Sequence, residues 1–203
     1  MTHPYEEVLA PSLYFDKNFQ SEAAKILPGE YYVTTRDMVL VTVLGSCVAA
    51  CIRDVVTGIG GMNHFMLPDS HEEMASVNGL STRYGTYAME MLINQLLKNG
   101  ASKNRLEAKV FGGGNVLRGF TVNNVGLRNA DFVKSFLALE RIPIVAQDLL
   151  DIYPRKVYFF PQTGRVLVKK LKTVHNNTIV EREKSYESRL THLDMGGDVE
   201  LFS

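Results

Sequence analysis

The chain has 203 residues, 45% of them hydrophobic, and its 22 Lys plus Arg balance 22 Asp plus Glu. This length can bury one sizeable core, and the balanced charge creates no field that favours nucleic acid or an anionic membrane surface as partner. The N-terminus lacks the basic flank and apolar region of a signal peptide, and no apolar run reaches the roughly 18 residues of a membrane span. We therefore expect a soluble cytoplasmic protein without membrane insertion.

The first part of the chain combines an irregular segment with a strand-rich one. Residues 1 to 27 show no clear hydrophobic period, which predicts a partly ordered arm that packs on the domain. Beyond them, β-branched and aromatic runs separated by turn residues predict strands at residues 31 to 34, 38 to 44, 48 to 53 and 59 to 67. These runs are almost wholly apolar, so the sheet surfaces should be covered on both faces.

The rest of the chain alternates helical and strand patterns. The predicted elements are a helix at about 82 to 98, a strand at 106 to 111, a helix at 129 to 139, a strand at 144 to 149, and a hairpin of strands 156 to 160 and 166 to 171. After residue 172 the composition becomes polar and charged, which predicts a last strand or short helix and a loose tail. The strand-rich core with two covering amphipathic helices is typical of an α+β fold.

The only two cysteines are Cys47 and Cys51. On a strand, four residues separate two Cα atoms by roughly 13 Å, beyond the limit of about 7 Å for a disulfide, so both thiols should be free. The sequence also lacks the second cysteine pair that a zinc site of this kind would need. Burial in the core is the ordinary role of such a cysteine, and we assign it to Cys51. Cys47 differs because it follows Gly45 and Ser46, where the strand must turn and the thiol and its backbone N–H can face one cleft.

Among five histidines, only His64 lies inside a core-like run, seventeen positions after Cys47. A satisfied core histidine is one interpretation. The other is a general base, because a cysteine nucleophile needs an imidazole that takes its proton. Consecutive strands are commonly spatial neighbours, so the two side chains can meet. Thr42, on the strand before Cys47, is either a β-forming residue or the group that orients the imidazole.

Two glycine-containing clusters come later. Gly112-Gly-Gly-Asn115 follows a strand, but the dinucleotide pattern requires a glycine where this chain has Leu117, and no Lys-Ser pair follows for a P-loop. We therefore do not expect nucleotide binding. Gly126-Leu-Arg-Asn129 precedes a predicted helix, where Asn129 can cap the N-terminus or the cluster can line a cleft.

Four ordered motifs resemble the chemoreceptor glutamine deamidases of bacterial chemotaxis, the CheD family. They are Leu44-Gly-Ser-Cys-Val-Ala-Ala-Cys-Ile-Arg-Asp54, Gly60-Gly-Met-Asn-His-Phe-Met-Leu-Pro68, Phe111-Gly-Gly-Gly-Asn115 and Val125-Gly-Leu-Arg-Asn129. The resemblance covers residues 28 to 171 as a CheD-like deamidase domain. It leaves residues 1 to 27 as an N-terminal arm and residues 172 to 203 as a C-terminal extension.

The resemblance implies a cytoplasmic hydrolase that deamidates specific receptor glutamines to glutamate, a protein-glutamine glutaminase that needs no metal or organic cofactor. It implies a three-layer α/β/β architecture and a triad in which Cys47 is the nucleophile, His64 the base and Thr42 the third member. In some family members we expect the threonine six positions before the cysteine, whereas here it is five. On a regular strand one residue turns a side chain to the other face, so we expect either a bulge or a different role for Thr42.

We further expect five residues around the triad to line the site: Gly45, Ser46, Asn115, Arg128 and Asn129. The implied partners are methyl-accepting chemotaxis receptors as substrate and, in some bacteria, a CheC-type CheY-phosphate phosphatase that binds and inhibits the deamidase. Methylesterase activity on methylated glutamates is chemically possible at the same site, because an ester forms the same thioester as an amide.

Two other functions stay open. A non-catalytic module would use a structural cysteine and only hold the receptor or the phosphatase, although the intact pair of Cys47 and His64 favours the enzyme. A general cysteine protease or amidase is disfavoured, because the chain carries none of the local signatures of those families.

Overall fold

A computed structural model of the protein describes residues 12 to 68, 80 to 116, 125 to 172 and 177 to 191. The strands are β1 (Ser12–Asp16), β2 (Ser21–Lys25), β3 (Tyr31–Thr34), β4 (Val39–Leu44), β5 (Val48–Asp54), β6 (Gly60–Asn63), β7 (Leu106–Gly112), β8 (Ile144–Leu149), β9 (Arg155–Phe160) and β10 (Arg165–Lys170). The helices are α1 (Leu80–Lys98), α2 (Val125–Leu139) and α3 (Asn177–Thr191), with a 3-10 turn at Lys103–Arg105.

The strands form two sheets of five. The first has the order β1-β2-β4-β9-β10 and the second β3-β6-β5-β7-β8. Neighbours are antiparallel except in the pairs β2 with β4 and β7 with β8, which are parallel. Strands β4 and β5 follow one another in the chain but lie in different sheets, so the chain crosses between the sheets at residues 45 to 47.

Alternation along β4 and β5 explains why the two sheets stack. Leu40 and Leu44 of β4 and Cys51 of β5 point into one apolar cluster between the sheets. Ala50 and Ile52 point the other way, into a second cluster with α1 and α2. The layers are therefore sheet, sheet and helices, which confirms the predicted α+β fold with three α/β/β layers.

Most predicted elements are present with small changes at their ends. The predicted strand at 59 to 67 is shorter, because β6 ends at Asn63. There the side-chain Oδ1 of Asn63 accepts the Ala50 N–H at 2.9 Å, in place of a main-chain carbonyl. Main-chain pairing resumes only as an isolated bridge between Val48 and Phe65. His64 thus lies at a local interruption of the sheet.

The segment before Pro28 contributes more than the predicted arm. Residues 12 to 16 and 21 to 25 form a hairpin, β1 with β2, and β2 pairs with β4 in the first sheet. Ala23 and Ala24 are fully buried there. Because two consecutive alanines give no clear alternation of apolar and polar residues, the sequence pattern did not predict strand β2.

The last described element is α3, so of the two alternatives for the C-terminal extension the chain adopts the short helix. The predicted loose tail after it, and residues 1 to 11, lie outside the described residues. Among the helices that the structure describes, none is long and apolar enough to cross a membrane.

Candidate active site

The turn that carries Cys47 is held by the glycine cluster at the end of β7. Gly113 N–H donates to the Cys47 carbonyl at 2.8 Å, and Gly114 N–H donates to the Gly45 carbonyl at 2.8 Å. Gly112 has φ +110°, and a Cβ there would overlap the Cys47 carbonyl oxygen. The three glycines therefore support the turn that carries Cys47. This structural role explains the glycine cluster without phosphate binding.

Helix α2 holds the same turn from the other side through Asn129. Its Nδ2 donates to the Ser46 carbonyl at 2.9 Å, and its Oδ1 accepts the Leu67 N–H at 2.8 Å. Gly126 lets the helix approach closely, because a Cβ there would overlap the Gly113 carbonyl. Of the two alternatives for Asn129, the helix cap does not fit the structure, since α2 begins at Val125 and the buried amide makes tertiary hydrogen bonds instead.

The imidazole of His64 is held by Thr42. Thr42 Oγ1 donates its single proton to the Ile26 carbonyl at 2.7 Å and lies 2.8 Å from His64 Nδ1. The hydroxyl must therefore accept from Nδ1–H, which leaves the lone pair of the ring on Nε2, the tautomer of a general base. Nε2 is buried and has no hydrogen-bond partner among the residues that the structure describes.

Thr42 reaches His64 without a bulge. The register of β4 with β9 is unbroken from Leu40 to Leu44. Thr42 shares the inward face of the strand with these two leucines, and His64 comes from the facing sheet. The five-residue offset from Cys47 is absorbed in the turn that crosses between the sheets, so a change of register within β4 is not needed.

The two cysteines have different surroundings although both are buried and free. Cys51 lies in the apolar cluster between the sheets, where burial raises its pKa. Cys47 is also fully buried, and its pKa is raised well above the ordinary value, first by burial and then by the carboxylate of Glu183. The cysteine at the turn therefore has a carboxylate beside it, whereas the cysteine on the strand does not.

The histidine and the cysteine are both neutral at pH 7 in this arrangement. The pKa of His64 is lowered to about 3, mainly by burial; the Ile26 carbonyl acts in the opposite direction, and the cation of Arg182 adds a smaller lowering effect. With the pKa of Cys47 raised, the pair is an imidazole and a thiol. The thiol is therefore held in its unreactive form.

Glu183 of α3 is the site residue that the sequence analysis missed. Its carboxylate accepts hydrogen bonds from the backbone N–H groups of Gly45, Ser46 and Cys47 at 2.9, 3.0 and 3.2 Å, and from the Ser46 hydroxyl at 2.8 Å. A signal for it exists, because Tyr186 lies three residues further on and a helix repeats its face at that spacing. The charged surroundings, residues 181 to 187, concealed this face.

Two further residues near the site were also missed. Tyr84 of α1 lines a small pocket with His64, and its hydroxyl contacts that of Tyr186. Arg155 is fully buried and donates to the Gly112 carbonyl at 3.1 Å, so it fixes the far side of the glycine support. Neither belongs to a motif that marks it: Tyr84 is brought here by the packing of α1 and α3, and Arg155 by the packing of the sheets.

The predicted lining residues divide into two groups. Gly45 and Ser46 belong to the turn of residues 45 to 47, here called the nucleophile turn for the role proposed for Cys47, and Asn129 contacts that turn directly. Arg128 lies one step away, where its Nη2 donates to the Pro68 carbonyl at 2.7 Å. Asn115 is exposed, and its N–H donates to the Asp151 carbonyl at 2.7 Å, so no hydrogen bond in the described part of the chain joins it to the triad residues.

The arrangement combines three parts that amide chemistry uses: a buried thiol, a neutral imidazole oriented through Nδ1, and a row of backbone N–H groups that binds a carboxylate. No group of metal-ligating side chains is gathered within the described ranges. Fold and site together define a three-layer α/β/β protein whose candidate site, with Cys47 and His64, lies at the crossing between its two sheets.

The chain belongs to the CheD family. Residues 66 to 170 match the family model described as CheD chemotactic sensory transduction. The chain is 66% identical to the probable chemoreceptor glutamine deamidase CheD of Methylobacillus flagellatus and 64% identical to that of Thiobacillus denitrificans, over the full length of both partners in each case. The corresponding protein of Herminiimonas arsenicoxydans is 63% identical over 98% of each chain.

Among solved structures, the hypothetical protein YfiH of Bacillus licheniformis aligns with 60% of this chain and 49% of its own, with 13% identity and a TM-score of 0.36. A likeness at that level is too weak to bear on the fold or the site. The family membership therefore rests on the sequence relatives and the family model.

Proposed function

We propose that this protein deamidates glutamine side chains of chemoreceptors to glutamate, with Cys47 as nucleophile. The observation that carries the proposal is the row of N–H groups at Gly45, Ser46 and Cys47, which binds a glutamate carboxylate directly beside the thiol. A site that holds the carboxylate of a glutamate there suits the product of the reaction. The relatives, which are named probable chemoreceptor glutamine deamidases, supply the substrate class.

The reaction begins with proton transfer from the Cys47 thiol to Nε2 of His64. The sulfur attacks the carboxamide carbon of the glutamine and forms a C–S bond, and the carbonyl oxygen becomes an oxyanion. The backbone N–H groups at Gly45 and Cys47 are the donors that can hold this oxyanion. Thr42 accepts from Nδ1–H and keeps Nε2 directed to the reacting atoms.

Collapse of the tetrahedral intermediate breaks the C–N bond, and the amine leaves as ammonia with the proton that His64 carried. Water then loses a proton to His64 and attacks the thioester. The C–S bond breaks, the thiol is restored, and the product is a glutamate. The balance is one glutamine and one water consumed for one glutamate and one ammonia, so no oxidant, metal or organic cofactor enters.

The proposal includes the setting that the family resemblance predicts. The compartment is the cytoplasm, where the free thiols of Cys47 and Cys51 stay reduced. A CheC-type CheY-phosphate phosphatase is the proposed second partner, which size-exclusion chromatography of the two purified proteins, alone and mixed, tests directly. Co-elution supports the partner, and separate elution at micromolar concentrations contradicts it.

Mass spectrometry of purified receptor cytoplasmic domains tests the activity. We expect about one dalton of added mass per converted glutamine, with ammonia release, when the wild-type protein is added, and neither with Cys47→Ala. Binding of the receptor without a mass change would instead support the non-catalytic module. A receptor carrying methylated glutamates, assayed in parallel for methanol release, tests the methylesterase reaction.

A further inference from the structure

Helix α3 lies over the nucleophile turn and fills the position that a substrate side chain needs. Glu183 is only 3% exposed, and its two carboxylate oxygens take all three backbone N–H groups of the turn. One oxygen bonds Gly45 and Cys47, and the other bonds the N–H and the hydroxyl of Ser46. Donors engaged in this way cannot bind the oxyanion of a second molecule.

The same face of α3 carries the anchors that hold it in place. Tyr186 and Leu190, three and seven residues after Glu183, are buried to within 5% and 3% exposure. The Tyr186 hydroxyl contacts that of Tyr84 on α1, and its ring lies against Gly29. One helical face therefore spans the cleft from the turn to α1.

The chemistry of Glu183 identifies it as an equivalent of the product. Both oxygens of its side chain accept hydrogen bonds, which suits a carboxylate. The neutral amide of a glutamine has only one acceptor oxygen, and its other group, the NH₂, is a donor. In one of the two amide orientations this NH₂ would point at the Ser46 N–H, so that two donors would face each other. The turn thus holds a glutamate side chain, which is what deamidation leaves behind.

Burial under α3 also explains the state of the reactive groups. The thiol of Cys47 is fully buried, and the carboxylate next to it opposes its ionisation. Arg182, one residue before Glu183, opposes protonation of His64. The helix therefore acts on both members of the pair and favours the neutral, resting form.

We propose that α3 is an intramolecular product mimic that closes the deamidase site through Glu183 and must leave the cleft before a receptor glutamine can enter. This inference rests on the proposed function for the identity of the substrate. It predicts an equilibrium between a closed and an open form, in which the apparent affinity for substrate is reduced by the fraction of molecules that are open.

Alkylation of Cys47 by iodoacetamide tests the closure without any assay of activity. In the full-length chain, Glu183→Ala removes the carboxylate from the turn, and we expect Cys47 to be labelled about tenfold faster than in the wild type at pH 7.5. Glu183→Gln, which keeps the shape but loses one acceptor, should give an intermediate rate. Glu181→Ala removes an exposed acidic residue of the same helix and should match the wild type.

Peptide mapping separates opening from unfolding, because Cys51 lies in the core between the sheets and should stay unlabelled in every folded variant. If Glu183→Ala labels Cys51 as well, Tyr186→Phe replaces it as the test. That variant loses only the hydroxyl contact with Tyr84 and should label Cys47 a few-fold faster. A rate equal to or below that of the wild type in folded variants overturns the proposal.

Steady-state kinetics on receptor domains separates closure from a structural role of Glu183. Release of a competing internal occupant should lower KM about tenfold with kcat unchanged, whereas loss of a supporting contact would lower kcat. Faster alkylation with no deamidation by any variant would remove the proposed function and leave the closure standing. Deamidation with alkylation rates and KM values equal to those of the wild type would support the proposed function and contradict the closure by α3.

Discussion

The floor and the cover of the candidate site are built differently. The floor consists of the nucleophile turn and its supports, and the hydrogen bonds of Gly113, Gly114 and Asn129 join it to a strand end and a helix of the core. The cover is α3, whose buried face meets the rest through Glu183, Tyr186 and Leu190. The floor thus shares the stability of the whole fold, whereas a single helical face can detach at a smaller free energy.

This difference assigns the two regions opposite effects on activity. Changes in the floor should remove activity or destabilise the fold, because its residues either have the proposed catalytic roles or hold those that do. Changes in the cover should increase access to the thiol. Losses should be largest for the Cys47 thiol itself and smaller for the groups that support it, in contrast to the increase expected for Glu183→Ala.

Cys47→Ala should reduce deamidation by about 10⁴-fold or more, because no other group can form the thioester. The free energy of unfolding in urea should change by only about 1 kcal/mol, since one buried sulfur is lost. Cys51→Ala is the matched control, a buried free cysteine four residues away, and its activity should stay within about twofold of the wild type. Substantial activity in Cys47→Ala would remove the nucleophile assignment.

Thr42→Val should lower kcat by roughly 10- to 100-fold with little change in KM. The isosteric methyl group cannot accept from His64 Nδ1–H, so the imidazole loses its orientation. Thr34→Val is the control, because Thr34 is likewise a buried strand threonine but its hydroxyl accepts from the Arg36 N–H. Equal kcat values in both variants would show that Thr42 has no orienting role.

Asn129→Ala should lower the free energy of unfolding by roughly 2 to 4 kcal/mol, because it leaves the Ser46 carbonyl and the Leu67 N–H without partners in a buried place. Urea denaturation followed by circular dichroism measures the change. Asn115→Ala, at an exposed position, should stay within about 0.5 kcal/mol of the wild type. A similar small change for Asn129 would mean that α2 does not hold the turn.

The pH dependence of stability should reflect His64. Its pKa is lowered to about 3 in the folded chain, so between about pH 6.5 and 3 the unfolded chain binds the proton and the folded one does not. Stability from this group is therefore full above about pH 6.5 and falls with pH, by about 2 kcal/mol at pH 5. His64→Gln should remove that part of the slope in urea titrations at pH 7 and pH 5, and an identical slope would place the titration elsewhere.

Most of the secondary structure and the candidate pair Cys47 and His64 can be predicted from local sequence patterns. Alternating and continuous apolar runs predicted most of the strands, because periodicity reports which faces of an element are buried. The three-layer packing was implied by the family resemblance. Cys47 and His64 stood out through their local setting, a glycine turn and a core-like run. The glycines of residues 112 to 114 were visible, but their purpose depended on which loop they would meet.

Which residues meet at the site cannot be predicted from these local patterns, because it depends on how the sheets and helices pack. Period-two alternation shows that Thr42 faces inward, but the partner on the opposite sheet depends on how the two sheets stack. Glu183 is 136 residues from Cys47 in the chain, and a glutamate on the buried side of a charged helix has the same local sequence as an exposed one. Local sequence patterns indicate which face of an element is buried and where the chain turns, but not which distant element that face contacts. The contact between the nucleophile turn and α3 forms only in the folded chain.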